Sequence, residues 1–125
     1  MGDKLYKQEG YELMGAAFEV YNKQGSYLSE DIYQASLEEE LKRRNIPFNA
    51  QHRLDVFYKG IKLYSCYIPD LLVCDGIIAE LKAVKKLLPE HKAQLINYLA
   101  ITGKKFGYLI NFGHTGLLEW KRIVL

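Results

Sequence analysis

The sequence predicts an α/β fold in which a mixed β-sheet is flanked by helices. Apolar residues recur at helical spacing over the first third of the chain, alternate with period two in the middle, and include a later helical segment between two strands. A strand that follows such a crossover helix can return parallel to its neighbour, whereas tight turns give antiparallel pairs. One domain over 1–125 is expected, because 125 residues fall within the roughly 100–200 that a domain usually takes. The 49% hydrophobic and 26% charged residues are typical of a globular protein.

Two helices are predicted first. Apolar residues at helical spacing indicate a helix over about 11–23, which Gly25 ends. Ser29 is the expected N-cap of a second helix, which ends in the basic run 42–44 shortly before Pro47.

Strands are predicted in the middle of the chain. Residues 54–58 and 61–73 alternate and are rich in Val, Ile and Tyr, so they predict a hairpin with a long second strand. The pair Asp75-Gly76 indicates a second tight turn, followed by a strand over 77–83.

The last third of the chain is predicted to return to the sheet. Pro89 opens a third helix that runs to about Thr102, where Gly103 follows. Residues 107–112 and 120–125 are then predicted as strands.

Composition limits the function classes. The 17 Lys and Arg residues exceed the 15 Asp and Glu residues by only two, so the protein as a whole is not strongly basic. A local basic patch stays open. No apolar run approaches the ~20 residues of a membrane span and no leader pattern is visible, so no membrane and a cytoplasmic location are expected. Two cysteines cannot form a four-thiolate metal site.

Asp70 interrupts an apolar run. It is the one charge between Lys62 and Asp75, in a segment that otherwise has the composition of a buried strand. A buried carboxylate is costly unless it is paired or binds a metal. The alternative, an aspartate that ends a strand and bonds to a nearby turn, stays open.

Glu80 and Lys82 lie on the same face of the following predicted strand. If this strand pairs with the previous one through the Asp75-Gly76 turn, Asp70 and Glu80 are neighbours. Two facing carboxylates repel unless a positive charge lies between them, which favours a divalent cation with a nearby ammonium. A simple surface pair of Glu80 and Lys82 is the alternative.

Two helices add further candidates. Glu30 lies on the apolar side of the second helix, although a first-turn carboxylate also interacts favourably with the helix dipole. Gln94 and Tyr98 are an i, i+4 pair on the third helix that could hold a polar ligand, or form a solvent-exposed edge.

These residues together resemble a known motif. Pro69-Asp70, nine further residues and then Glu80-Leu81-Lys82 are similar to the signature of the PD-(D/E)XK nuclease superfamily. The Asp and the Glu-x-Lys fall on adjacent predicted strands, and Gln94-x-x-x-Tyr98 resembles an element of the exonuclease and recombination-repair branch.

Within that superfamily the chain resembles the small GxxExxY family from about Tyr11 to Leu125. Glu30 and Tyr33 match the name motif, with Tyr27 at the position of its first glycine. The other matching segments follow in the family's order: 15–21, 46–48, 58–60, 70–73, 80–84, 91–95, 98–99 and 109–113. The resemblance implies a restriction-endonuclease-like core.

The resemblance also implies a metal site. Asp70 and Glu80 would bind Mg²⁺ or Mn²⁺, and Glu30 would ligate the ion directly or through water. This agrees with the preference of Mg²⁺ for hard oxygen ligands, of which one or two are carboxylates.

The remaining implied catalytic residues are Lys82, Gln94 and Tyr98. Lys82 would position or activate the attacking water, and Gln94 and Tyr98 would hold a water on the metal or a substrate phosphate. The implied function is a Mg²⁺-dependent nuclease acting on nucleic acid, with DNA expected ahead of RNA.

Phosphate-binding cations are modest in number. They lie after the Glu-x-Lys and after the third helix, at Lys85, Lys86, Lys92, Lys104 and Lys105. Two other functions stay open, a nucleic-acid- or protein-binding module without catalysis and a hydrolase of small phosphate esters. A chain this small has little room for a specificity domain, so a homodimer or a protein partner is a further expectation.

Overall fold

The computed structural model of the protein describes residues 5–125. In this part of the chain the elements follow in the order α1 (Lys7–Gln24), α2 (Glu30–Arg43), β1 (Phe48–Ala50), β2 (Leu54–Tyr58), β3 (Ile61–Tyr67), β4 (Leu71–Val73), β5 (Ile77–Lys82), α3 (Pro89–Thr102), β6 (Phe106–Asn111) and β7 (Glu119–Val124).

A five-stranded sheet with the order β1-β4-β5-β6-β7 forms the centre, and β2 and β3 form a separate hairpin. β5 and β6, which α3 connects, are parallel. The other neighbours in the sheet are antiparallel. The predicted mixed sheet flanked by helices is therefore confirmed. No helix within residues 5–125 is long and apolar enough to cross a membrane.

Helices cover both faces of the sheet. On one face, α1 and α2 contribute buried side chains such as Leu13 and Leu37, which join a core with Leu81 of β5. On the other face, Leu95 and Leu99 of α3 pack in a second core. Because side chains alternate along a strand, Glu80 and Lys82 point to the α3 face while Leu81 points to the opposite face.

The single long strand predicted over 61–73 is wrong. β3 ends at Tyr67 and β4 begins at Leu71, and the two belong to different sheets. Pro69 lies in the break, and a proline has no N–H to donate to a strand ladder. The alternation of side chains between two faces therefore does not continue from β3 across the break to Asp70.

The three-residue strand β1 was not predicted. It pairs with β4 and forms the edge of the five-stranded sheet, with Ala50 opposite Leu71. The other boundaries differ from the predicted ones by at most four residues, the largest difference being that α1 starts at Lys7 instead of about Tyr11.

Candidate active site

Asp70 and Glu80 meet at the end of the β4–β5 ladder. Leu71 lies opposite Ala79 in this antiparallel pair, so the next position outward places Asp70 opposite Glu80. Asp70 Oδ2 accepts a hydrogen bond of 2.8 Å from the backbone N–H of Leu81. The carboxyl groups of Asp70 and Glu80 are close enough that the charge of Asp70 raises the pKa of Glu80.

The bend that presents Asp70 is fixed through its carbonyl oxygen. Gln34 Nε2 of α2 donates to this oxygen at 2.9 Å, and the backbone N–H of Gln51 donates to it at 3.3 Å. Gln34 Nε2 also lies 2.9 Å from Glu38 Oε2. The Pro69 break therefore places Asp70 in a bend that two other segments hold in position.

Burial and the neighbouring Asp70 carboxylate raise the pKa of Glu80 to about 8. A hydrogen bond from the Tyr67 hydroxyl and the charge of Lys82 act in the opposite direction but do not cancel the rise. In the metal-free protein at neutral pH, a proton on Glu80 therefore relieves its repulsion with Asp70.

Tyr67 connects Glu80 to α3. Its buried phenol donates a hydrogen bond to Glu80 Oε1, and its ring stacks on Tyr98 with 3.8 Å between the ring centroids. Tyr98 Oη in turn lies 2.9 Å from Gln94 Nε2, which donates to it. Burial and Glu80 raise the pKa of Tyr67 well above its usual value, so the phenol stays protonated and remains a donor.

Tyr67 was not predicted as a site residue from the sequence. Strict alternation through a long strand would have put it on the opposite face from Asp70, but the break at Pro69 removes that constraint. An aromatic residue immediately before an Ile-Pro-Asp break was the signal in the sequence that could have indicated it.

The junction after β6 holds the chain around Lys82. The backbone N–H of Phe112 donates to the Lys82 carbonyl oxygen at 2.8 Å. The side chain of Asn111, fully buried, accepts from the N–H of Val84 at 2.9 Å and from that of Gly113 at 3.1 Å. These bonds fix the end of β5, so Lys82 extends from a rigid backbone.

Glu30 lies at the start of α2, close enough to interact with the other charged groups. Partial desolvation raises the pKa of its exposed carboxyl, Asp70 raises it further, and Lys82 lowers it. Tyr33, one turn along α2, stacks on Phe112 with 4.7 Å between centroids. This stack positions the start of α2 beside the end of β5.

The donor set fits a hard divalent cation. Within residues 5–125 no three His, Cys, Asp or Glu side chains are arranged to hold a metal ion, so Glu30 does not join a compact cluster. Asp70 and Glu80 supply the close pair of carboxylates. Mg²⁺ binds through one or two carboxylates and completes its shell with waters and substrate phosphates, so this pair is sufficient.

A groove of about 760 Å³ lies elsewhere in the molecule. Its lining includes Tyr11, Phe18, Tyr108 and Trp120. Tyr108 belongs to the core that contains α1 and α2. The groove is therefore on the sheet face opposite Glu80 and Lys82, and it is not part of the site.

The solved structure of SSO0001 supports this fold. The structure of SSO0001 aligns with a TM-score of 0.58 and 24% identity, covering 95% of this chain and 60% of that one. The structure of an alkaline exonuclease (LHK-Exo) from Laribacter hongkongensis aligns with a TM-score of 0.47 and 15% identity, covering 86% and 75%. The chain thus spans about 60% of the length of SSO0001.

No curated protein matches the sequence. Residues 7–123, nearly the whole chain, match the family model of the PD-(D/E)XK nuclease superfamily. The chain belongs to the PD-(D/E)XK nuclease superfamily.

Proposed function

We propose that the protein is a Mg²⁺-dependent nuclease that hydrolyses phosphodiester bonds in DNA. The observation that supports this most strongly is the Asp70–Glu80 pair beside Lys82, in a chain of the PD-(D/E)XK nuclease superfamily. The finer assignment to the GxxExxY family stays a prediction from the sequence.

Asp70 and Glu80 are the proposed metal ligands, and Glu30 would contact the same ion through water. When bound, Mg²⁺ or Mn²⁺ supplies positive charge against which the negative charge developing on the phosphodiester is stabilised. Glu80 must lose its proton to become a ligand, which the raised pKa makes a pH-dependent step.

Lys82 is the proposed second source of positive charge. Its ammonium lies close enough to Glu30 and Glu80 to lower the pKa of both carboxyls. From there it can donate hydrogen bonds to the attacking water or to a phosphate oxygen. Gln94 is exposed and could bind a phosphate, while Tyr98 supports Tyr67 through the ring stack.

Exposed lysines next to the site would bind the substrate backbone. Lys85 and Lys86 follow β5, and Lys92 lies in the first half of α3. Contacts of this kind are independent of sequence, and they weaken as salt increases.

The test is cleavage of labelled single- and double-stranded DNA and RNA with Mg²⁺ or Mn²⁺. We expect the wild type to cut DNA, and Asp70→Ala to lose about a hundredfold or more, since a bound metal contributes several kcal/mol to catalysis. Glu39→Ala, which removes an exposed carboxylate from α2, should retain the wild-type rate.

Three outcomes would contradict the proposal. Equal cutting by the wild type and Asp70→Ala would exclude this site. Salt-sensitive binding without cutting, unchanged in Asp70→Ala, would indicate a binding module. Hydrolysis of small phosphodiesters with no action on polymers would indicate a different substrate.

A further inference from the structure

The β2–β3 hairpin exposes large apolar side chains away from the sheet. Four of them are 61–97% exposed: Phe57, Tyr58, Ile61 and Tyr64. At the base of the hairpin the situation is different, since Tyr67 is buried and Leu54 packs on the core that α3 forms. The base of the hairpin is therefore anchored, and its outer half presents its rings to solvent.

These exposed rings lie on both faces of the hairpin. Phe57 pairs with Lys62, and Tyr58 pairs with Ile61. Because successive residues of a strand point to opposite faces, Phe57 and Tyr58 project in opposite directions. The outer half of the hairpin therefore presents separate rings on two faces instead of one continuous apolar face.

The charge of the hairpin favours an anionic partner. Residues 53–64 contain three cations, Arg53, Lys59 and Lys62, and one carboxylate, Asp55. Asp55 lies 3.4 Å from Arg53 Nε and 3.6 Å from Lys62 Nζ. Lys59 Nζ lies 5.5 Å from the centre of the Tyr58 ring, so a cation accompanies an exposed ring.

The hairpin begins at the candidate active site. Tyr67, the last residue of β3, donates a hydrogen bond to Glu80 and stacks on Tyr98. The six steps from Tyr67 to Ile61 extend ~20 Å at about 3.3 Å per residue. A polymer strand bound at Asp70 and Glu80 can therefore run along this ribbon.

We propose that the β2–β3 hairpin is an arm that binds single-stranded nucleic acid by stacking bases on Phe57 and Tyr64. The inference rests on the proposed nuclease function and adds the strandedness of its substrate. Exposed aromatic rings beside cations are typical of single-strand binding, because unpaired bases offer free π-faces that a duplex keeps stacked.

The experiment measures fluorescence anisotropy of labelled single-stranded and duplex oligonucleotides with the full-length protein in EDTA, where metal-dependent cleavage does not proceed. We expect Phe57→Ala and Tyr64→Ala each to weaken single-strand binding about five- to hundredfold, with little effect on duplex binding. Tyr11→Ala is the matched control, since Tyr11 is 76% exposed on α1 and should leave binding unchanged.

A salt titration tests the electrostatic part. Lys59→Gln should reduce the slope of log affinity against log salt by ~0.7 if Lys59 contacts one phosphate of a single strand. An unchanged slope, or equal single-strand affinity in wild type, Phe57→Ala and Tyr64→Ala, would overturn the arm. If those two variants instead abolish self-association in sedimentation, a second copy is the occupant and the inference is wrong.

Cleavage measured in parallel separates the two proposals. Active cleavage by the wild type with unaltered binding by the hairpin variants would overturn the arm alone. Hairpin-dependent binding by a wild type that never cleaves would support the arm and overturn the nuclease. A wild type that binds no nucleic acid would overturn both.

Discussion

Glu80 is the residue at which a proton and the proposed metal ion would compete. Burial and the Asp70 carboxylate make its charged form unfavourable, and either a proton or a bound cation removes that cost. The Tyr67 hydroxyl, which donates to Glu80, and Lys82 offset only part of it. The closeness of the Asp70 and Glu80 carboxylates, which would serve a metal site, therefore destabilises the metal-free protein at high pH.

This competition predicts the effect of pH on stability. Glu80 has a pKa of about 8 in the folded protein against 4.5 as its ordinary value, so the folded state binds more protons between these values. The free energy of unfolding should fall as pH rises through this window, by at most ~1.4 kcal/mol per pH unit for one group. Denaturant unfolding of the metal-free wild type and Glu80→Gln at several pH values measures this contribution.

Glu80→Gln stays neutral at every pH, so its stability should decline less than that of the wild type from pH 5 to pH 8. Glu90→Gln, which changes an exposed carboxylate in the first turn of α3, should follow the wild type. Parallel pH profiles for the wild type and Glu80→Gln would contradict the raised pKa.

At the scale of whole elements, the sequence predicted α2, α3 and the β5–α3–β6 crossover well. Their caps and periods are local signals, as with Pro89 at the start of α3 and Gly103 at its end. The prediction of a single strand over 61–73 was wrong because the alternation in the sequence continues through Pro69, whereas the hydrogen-bonded strand pairing does not. β1 has three residues, too few to show a period, and its pairing with β4 depends on distant sequence.

In the candidate site, too, some residues have a local signal in the sequence and others depend on distant parts of the chain. Asp70, Glu80 and Lys82 could be selected as candidates from the sequence, because charged residues interrupt an apolar pattern there. Tyr67 was not, because its contact with Glu80 depends on the direction that the chain takes after the break. The support of Asp70 by Gln34 was equally hidden, since it joins residues 36 positions apart.

The junction between β5 and β6 gives a prediction at the element scale. A Cβ at Gly113 would lie 2.5 Å from the backbone nitrogen of Val84 and 2.6 Å from the carbonyl carbon of Ala83. Gly113→Ala should therefore push the backbone after β6 away from the backbone at 83–84. We expect a loss of about 1–3 kcal/mol in stability, the usual cost of overpacking. Thermal unfolding measures it.

Gly15→Ala is the matched control. It lies within α1, and its new Cβ would meet the end of the flexible Arg44 side chain at 3.1 Å. Alanine is also favoured over glycine in a helix by up to about 1 kcal/mol, so this variant should be neutral or stabilised. Equal stability of the two variants would show that the Gly113 contact yields without cost.

In the whole molecule, the candidate site joins groups from distant parts of the sequence. Glu30 starts α2, Asp70 precedes β4, Glu80 and Lys82 end β5, and Tyr98 lies on α3. The unfolded chain cannot hold these groups together, so an ion that binds the site binds the folded state selectively. Metal binding should therefore stabilise the fold in proportion to the logarithm of metal concentration above its Kd.

Asp70→Asn tests this linkage, because the variant should be more stable than the wild type without metal and less stable than the wild type with metal. In EDTA at pH 8.5, above the pKa of Glu80, removing the Asp70 charge relieves repulsion, while the amide oxygen still accepts from Leu81. The variant should then unfold at a higher temperature than the wild type, by roughly 4 °C per kcal/mol gained. With Mg²⁺ at ~100 times its Kd, the wild type should gain about 2.7 kcal/mol and overtake the variant. Equal gains in both proteins would place the ion elsewhere, and a wild type that is more stable in EDTA would show that the two carboxylates do not repel.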